Sequence, residues 1–137
     1  MNINEYYEHA RKFLRDCGAT MNIKFLFYGK HFDDDKHERN VYSVTIKRNG
    51  QSYTFRFGDS VINTRNGGKP TEYCILACLQ KHEPEPDVWD FAKEYGYEIY
   101  NRKSYIKALH NHEAVREEYA GVMRVFGDII ETLQNIQ

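Results

Sequence analysis

Asn49 and Gly50 stand between two runs of alternating apolar residues, VYSVTIKR and QSYTFRF. No other feature restricts the fold of this chain as tightly. Asn-Gly is the favoured pair for a two-residue type I′ turn, because both turn positions need φ > 0. A turn there pairs Ile46 with Tyr53, Val44 with Phe55 and Tyr42 with Phe57, which puts three apolar pairs on one face. The other face carries Lys47 opposite Ser52, Thr45 opposite Thr54 and Ser43 opposite Arg56. A slip of one residue would turn every ring to solvent, so the register is strongly specified.

The rest of the composition supports a folded domain around this hairpin. The chain has 137 residues, of which 41% are hydrophobic and 15% aromatic. That length reads as a single domain over 1–137 with enough core to stand without staples. Net charge is −1, which gives no whole-chain attraction to nucleic acid or to an anionic membrane. The charge is uneven, +3 over residues 1–72 and −4 over residues 73–137. Three cysteines, an odd number, point to reduced thiols and a cytoplasmic protein. The N-terminus has no apolar core of a signal peptide, and no apolar run approaches a membrane span, so no membrane partner is expected.

Taken in order, residues 4–16 predict a helix capped by Asn4 and closed by Gly18, with Tyr6, Ala10, Phe13, Leu14 and Cys17 as its buried stripe. Residues 21–28 alternate as a first strand, and 29–40 read as a polar connection into the hairpin. Residues 58–70 read as a loop with a sharp turn at Asn66-Gly67-Gly68. Further helices are expected from Thr71 to His82, after Asp87 as far as Tyr95, over 102–126, and from an Asp128–Glu131 capping box onward. Trp89, Phe91, Ala92 and Tyr95 give the short helix after Asp87 more apolar surface than it needs. The expected class is α+β: a three-stranded antiparallel sheet, with its hairpin at 41–57, packed by about five helices. An α-β-β-β-α half spans 1–82 and a helical half spans 83–137.

Several residue groups invite chemistry and fall short of it. Asp33, Asp34 and Asp35 with His31 or His37 lack the glycine-bearing spacing of a calcium loop. Gly68-Lys69 has Asn63 where a phosphate loop needs its first glycine, and Pro70 where it needs a hydroxyl. Cys74, Cys78 and His82 recur along one helix face, which cannot wrap a tetrahedral zinc ion. His110 and His112 are about 200° apart around a helix and cannot share a metal. No nucleophile has a base and an orienting acid in view. The expectation is therefore a binding protein without enzymatic activity, metal or cofactor.

Three ordered stretches carry a resemblance: SVTIKRNGQSYTFRFGDSVI (43–62), PTEYCILACLQKHEP (70–84) and DFAKEYGYE (90–98). They resemble small proteins carried by phages and prophages, with an R-N-G-x-S-Y-x-F-x-F-G hairpin, a P-T-x-Y-x-[IV]-L-A-C-L helix and an F-x-x-E-[FY]-G-Y helix end. The match covers about residues 41–126, and Cys74 stands where those relatives often have aspartate. Such proteins resemble inhibitors of bacterial defence, including anti-CRISPR proteins. The resemblance implies a stoichiometric inhibitor that binds a CRISPR effector in the host cytoplasm, and it brings no catalytic motif.

The partner-binding residues expected from the sequence are Lys47, Arg48 and Arg56 on the hairpin, joined by Arg65 and Lys69 from the Gly-rich loop. An alternative partner is nucleic acid. The order helix–strand–strand–strand–helix over 4–82 has the topology of a double-stranded-RNA-binding domain, which reads RNA shape through a basic helix start. Here that helix begins Pro-Thr-Glu, with Lys69 alone before it.

Overall fold

Asn49 has φ 52° and Gly50 φ 77°, the two left-handed positions that a type I′ turn requires. The pairing they set runs as expected, Ile46 with Tyr53, Val44 with Phe55 and Tyr42 with Phe57. This computed structural model describes residues 3–31, 34–60, 75, 76 and 78–136. In chain order its elements are α1 (Ile3–Asp16), β1 (Thr20–His31), β2 (Asp34–Arg48), β3 (Gln51–Ser60), α2 (Val88–Glu94), α3 (Arg102–Phe126) and α4 (Ile130–Gln134). The class is α+β, with one antiparallel sheet in the order β1-β2-β3. Four helices are described whole rather than five. Of the helix expected at 71–82, Ile75, Leu76, Cys78 and Leu79 are helical, and the start at 71–74 lies outside the described residues.

The sheet is longer than its apolar pattern suggests. β1 continues to His31 and β2 begins at Asp34, so most of the stretch expected as a connection is paired strand, including Gly29 with Arg39. Ladder bonds join backbone groups, which a polar sequence carries as well as an apolar one. The ladder shifts register twice, between Lys30 and His31 and between Phe25 and Phe27; at the second, Phe25 pairs with Tyr42 and Phe27 with Val41, leaving Leu26 as an extra residue. Such a bulge reverses the faces of the residues beyond it. Gly58, Asp59 and Ser60, expected in a loop, are the end of β3, whereas 61–70 lies outside the described residues.

The chain forms two compact units, Met1–Lys81 with Val122–Gln137 and His82–Gly121. The C-terminal residues, expected in a helical half, thus belong to the first unit. Its core joins Ala10 and Leu14 of α1, Val44, Ile46 and Phe55 of the hairpin, and Ile75, Leu76 and Leu79. Val125, Phe126, Ile130 and Leu133 complete it from the end of α3 and from α4. α1 closes as its sequence predicts, with Gly18 at φ 73° and the Ala19 amide donating to the Leu14 carbonyl at 2.9 Å. The helix starts at Ile3, so Asn4 lies inside it and does not cap it.

The second unit is built around Phe91 and Ala92 of α2 and Ala108 and His112 of α3, all buried. Asp87 caps α2 by accepting from the Trp89 and Asp90 amides at 2.7 and 3.2 Å. Gly96, at φ 77°, ends it. His112 shares a hydrogen bond with the Glu85 carbonyl at 2.6 Å and packs 4.8 Å from the Phe91 ring. That accounts for His112 as a core residue. Leu109 of α3 is 41% exposed.

Candidate functional site

Alternation along three strands divides the sheet into a covered face and an open one. Met21, Ile23, Val44, Ile46, Tyr53, Phe55 and Phe57 belong to or pack against the core. Their neighbours make three rows on the other face: Thr20, Lys47 and Ser52; Asn22, Thr45 and Thr54; Lys24, Ser43 and Arg56. Seven of these nine side chains are exposed, and Ser43 and Thr45 are half-buried. Three are cations and six are neutral hydrogen-bonding residues; none is a carboxylate. The Thr45 and Thr54 hydroxyls hydrogen-bond across the strands at 3.0 Å, which fixes the middle row. Next to Lys47, an open polar notch of about 360 Å³ lies between the Gly18 turn and the hairpin tip, lined by Thr20, Asn49 and Ser52 among others.

The Leu26 bulge adds an aromatic residue to this face. Past it, Phe27 pairs with Val41, which has the parity of Ser43 and Thr45. The Arg56 guanidinium lies over the Phe27 ring, 5.8 Å from its centroid. Gly29 leaves room for that ring: a Cβ at Gly29 would meet it at 3.2 Å. Phe25, Leu26, Phe27 and Tyr28 are all substantially exposed, from 37% to 54%. The first-strand reading from alternation missed this, because one inserted residue breaks the period on which it relied.

Of the five residues expected to bind a partner, the structure brings Lys47 and Arg56 onto this open face. Arg48 is turned the other way. It has the parity of Ile46 and Val44, so it leaves the hairpin on the covered side, and its side chain is 12% exposed. Its Nε donates to the Cys17 carbonyl at 3.0 Å, and its two terminal nitrogens donate to the two Asp128 carboxylate oxygens, one at 3.1 Å. Arg48 thus clamps the end of α1 and the α3–α4 junction to the hairpin tip. Arg65 and Lys69 lie outside the described residues. Lys24 and Phe27 were missed at the sequence level, although register arithmetic extended to β1 would have placed Lys24 beside Ser43.

The same clamp explains why the expected capping box does not form. Asp128 is engaged by Arg48, and Ile129 is the N-cap of α4 with no side-chain cap. Hydrogen bonds from the Arg48 guanidinium hold the Asp128 carboxyl below the ordinary aspartate range, against a smaller opposing effect of burial. A carboxyl depressed in the folded state stabilises it above its unfolded value, and that contribution is lost as pH falls through the folded one. Acidification from about pH 6 to about pH 2 is therefore expected to lower the melting temperature of the parent more than that of Asp128→Asn. Parallel loss in both proteins, followed by circular dichroism, would show that the clamp contributes nothing.

Other chemistry is sparse. Among the described residues, no group of three or more His, Cys, Asp or Glu is placed to hold a metal ion, and no helix is long and apolar enough to cross a membrane. Asp33 and Cys74, considered as ligands from the sequence, lie outside the described residues. Cys17 and Cys78 are each half-buried. In the second unit Trp89, 38% exposed, meets Tyr100 edge-on at 5.8 Å and Tyr105 at 6.2 Å. Charges of both signs surround this cluster in the sequence, Asp87 and Asp90 on one side and Arg102 and Lys103 on the other. Compared with protein-family models, with curated proteins and with solved structures, the chain matches none.

Proposed function

We propose that this chain is a phage-encoded inhibitor that binds a bacterial defence complex, such as a CRISPR effector, by stoichiometric contact in the host cytoplasm. It acts by occlusion, without a catalytic step. The observation that carries the reading is the open sheet face, where Lys47 and Arg56 stand among hydrogen-bonding residues with no carboxylate between them. Arginine and aromatic residues on an accessible surface are the usual anchors of protein contacts. The resemblance of residues 41–126 to small phage proteins supplies the kind of partner.

The test is inhibition of a purified CRISPR effector by the parent and by a Lys47→Glu, Arg56→Glu double variant. The variant is expected to melt within about 1 kcal/mol of the parent, because exposed charges stabilise little. Its inhibition is expected to fall by about tenfold or more, the effect of losing an interface anchor. Full inhibition by the double variant would remove the sheet face from the contact.

A second reading has one observation in its favour. The order α1-β1-β2-β3, followed by helical residues from Ile75 that pack into the same core as α1, matches the topology of a double-stranded-RNA-binding domain. Under that reading the double variant loses binding to bare duplex RNA, with a steep dependence on salt.

A further inference from the structure

Arg56 differs from the other cations of the open sheet face. Lys24 and Lys47 carry compact charges on flexible stems, whereas a guanidinium is a planar fork that matches the two oxygens of a carboxylate. An exposed arginine ordinarily loses rotamer freedom on binding, and that loss weakens the contact. Here the Phe27 ring lies under the guanidinium at 5.8 Å, and the bulge at Leu26 puts that ring on the same face. Gly29 allows the ring its position. The ring therefore favours one position of the fork before any partner arrives. Lys24 stands in the same row two strands away, about 10 Å across the sheet, with the half-buried Ser43 between them.

We infer that Arg56, held over Phe27, is the anchor of the open face, and that it receives a carboxylate from an acidic protein surface, flanked by Lys24 and Lys47. The inference rests on the reading of this face as the contact surface and names the chemistry of the partner. Nucleic acid fits the same residues less well. Single strands bind by stacking successive bases on exposed rings. Phe27 is the one aromatic ring that the register places with these rows, and the Arg56 guanidinium already lies over it. Three cations also neutralise few phosphates, and a chain of net charge −1 adds no wider attraction. A protein surface needs neither a row of rings nor many charges. It needs an anchor with neutral hydrogen-bonding residues around it, and the six Ser, Thr and Asn side chains of the three rows supply those.

Two probes, an oligoglutamate peptide and an oligouridylate strand, test the full chain at low salt, with nuclear magnetic resonance of arginine Nε–Hε groups as the readout. The Arg56 signal is identified by its loss in Arg56→Lys. The peptide is expected to bind and to move that signal, and Arg56→Lys, which keeps the charge but not the fork, is expected to weaken binding by about tenfold. Phe27→Leu leaves the charge and the fork but frees the guanidinium, and should weaken binding by a smaller factor of about three. Melting temperatures of both variants show whether the fold is intact. Absence of peptide binding, equal binding by Arg56→Lys, or tighter binding of oligouridylate would each overturn the inference. The inhibition assay fails or succeeds separately. A parent that binds oligoglutamate through Arg56 yet inhibits no effector would defeat the proposed function and leave this inference standing.

Discussion

Replacing Phe126 with alanine is expected to destabilise the first unit by about 3–5 kcal/mol, the usual cost of emptying a buried aromatic site. Phe126 is fully buried at the end of α3, in the cluster that joins the hairpin, α1 and α4. Protein interiors are close-packed, so the surrounding structure relaxes only partly into such a space. Domains of this size are stable by only about 5–15 kcal/mol, so the variant should unfold at a much lower urea concentration. Leu109→Ala on the same helix is the internal control. Leu109 is 41% exposed, and its loss is expected to stay within about 0.5 kcal/mol. Similar midpoints for the two variants would mean that the end of α3 does not anchor the core.

The second large effect is expected at the turn. Gly50→Val should cost about 1–3 kcal/mol, because a β-branched residue at positive φ is strained. Nothing lies within 4 Å of a Cβ built at Gly50, so the cost is conformational and involves no steric clash with neighbours. Gly50→Asn separates the two causes, since asparagine tolerates the left-handed region and should retain most of the stability. Equal melting temperatures for Gly50→Val and the parent would contradict the type I′ turn.

How far the fold could be read from the sequence depended on the range of the interactions involved. The hairpin register was legible because Asn49-Gly50 and the parity of six apolar residues agree on a single answer. The Asp87 cap and the Gly96 stop of α2 were legible for the same reason, being local chemistry. The Leu26 bulge was not, since one extra residue leaves no mark in a run of apolar side chains. Nor was the strand character of residues 34–40, where backbone pairing proceeds without apolar alternation. The partner of Arg48 was beyond reach, because Asp128 is 80 residues away and its spacing to Glu131 mimics a capping box. The candidate site divides along the same line. Lys47 and Arg56 followed from the hairpin's parity, and parity also turns Arg48 to the covered face. Lys24 and Phe27 required the pairing of a third strand and its bulge.

The makeup of the first unit's core has a consequence for the order in which this protein becomes a protein. Synthesis runs from the N-terminus, so Val44, Ile46 and Phe55 are made long before Val125, Phe126, Ile130 and Leu133, which share their cluster. Between Phe55 and Ile130 lie roughly 75 residues, which at about 5–20 residues per second take about 4–15 s to make. Through that interval the hairpin can close, because its turn and pairing are local. Its apolar side lacks, until the end, the part of its cover that Val125, Phe126, Ile130 and Leu133 supply. The residues of the second unit are made within that interval, so it can fold while the first is still waiting. The newborn chain therefore carries an incompletely covered apolar sheet face, the kind of exposure that favours aggregation, until almost its last residues have been added.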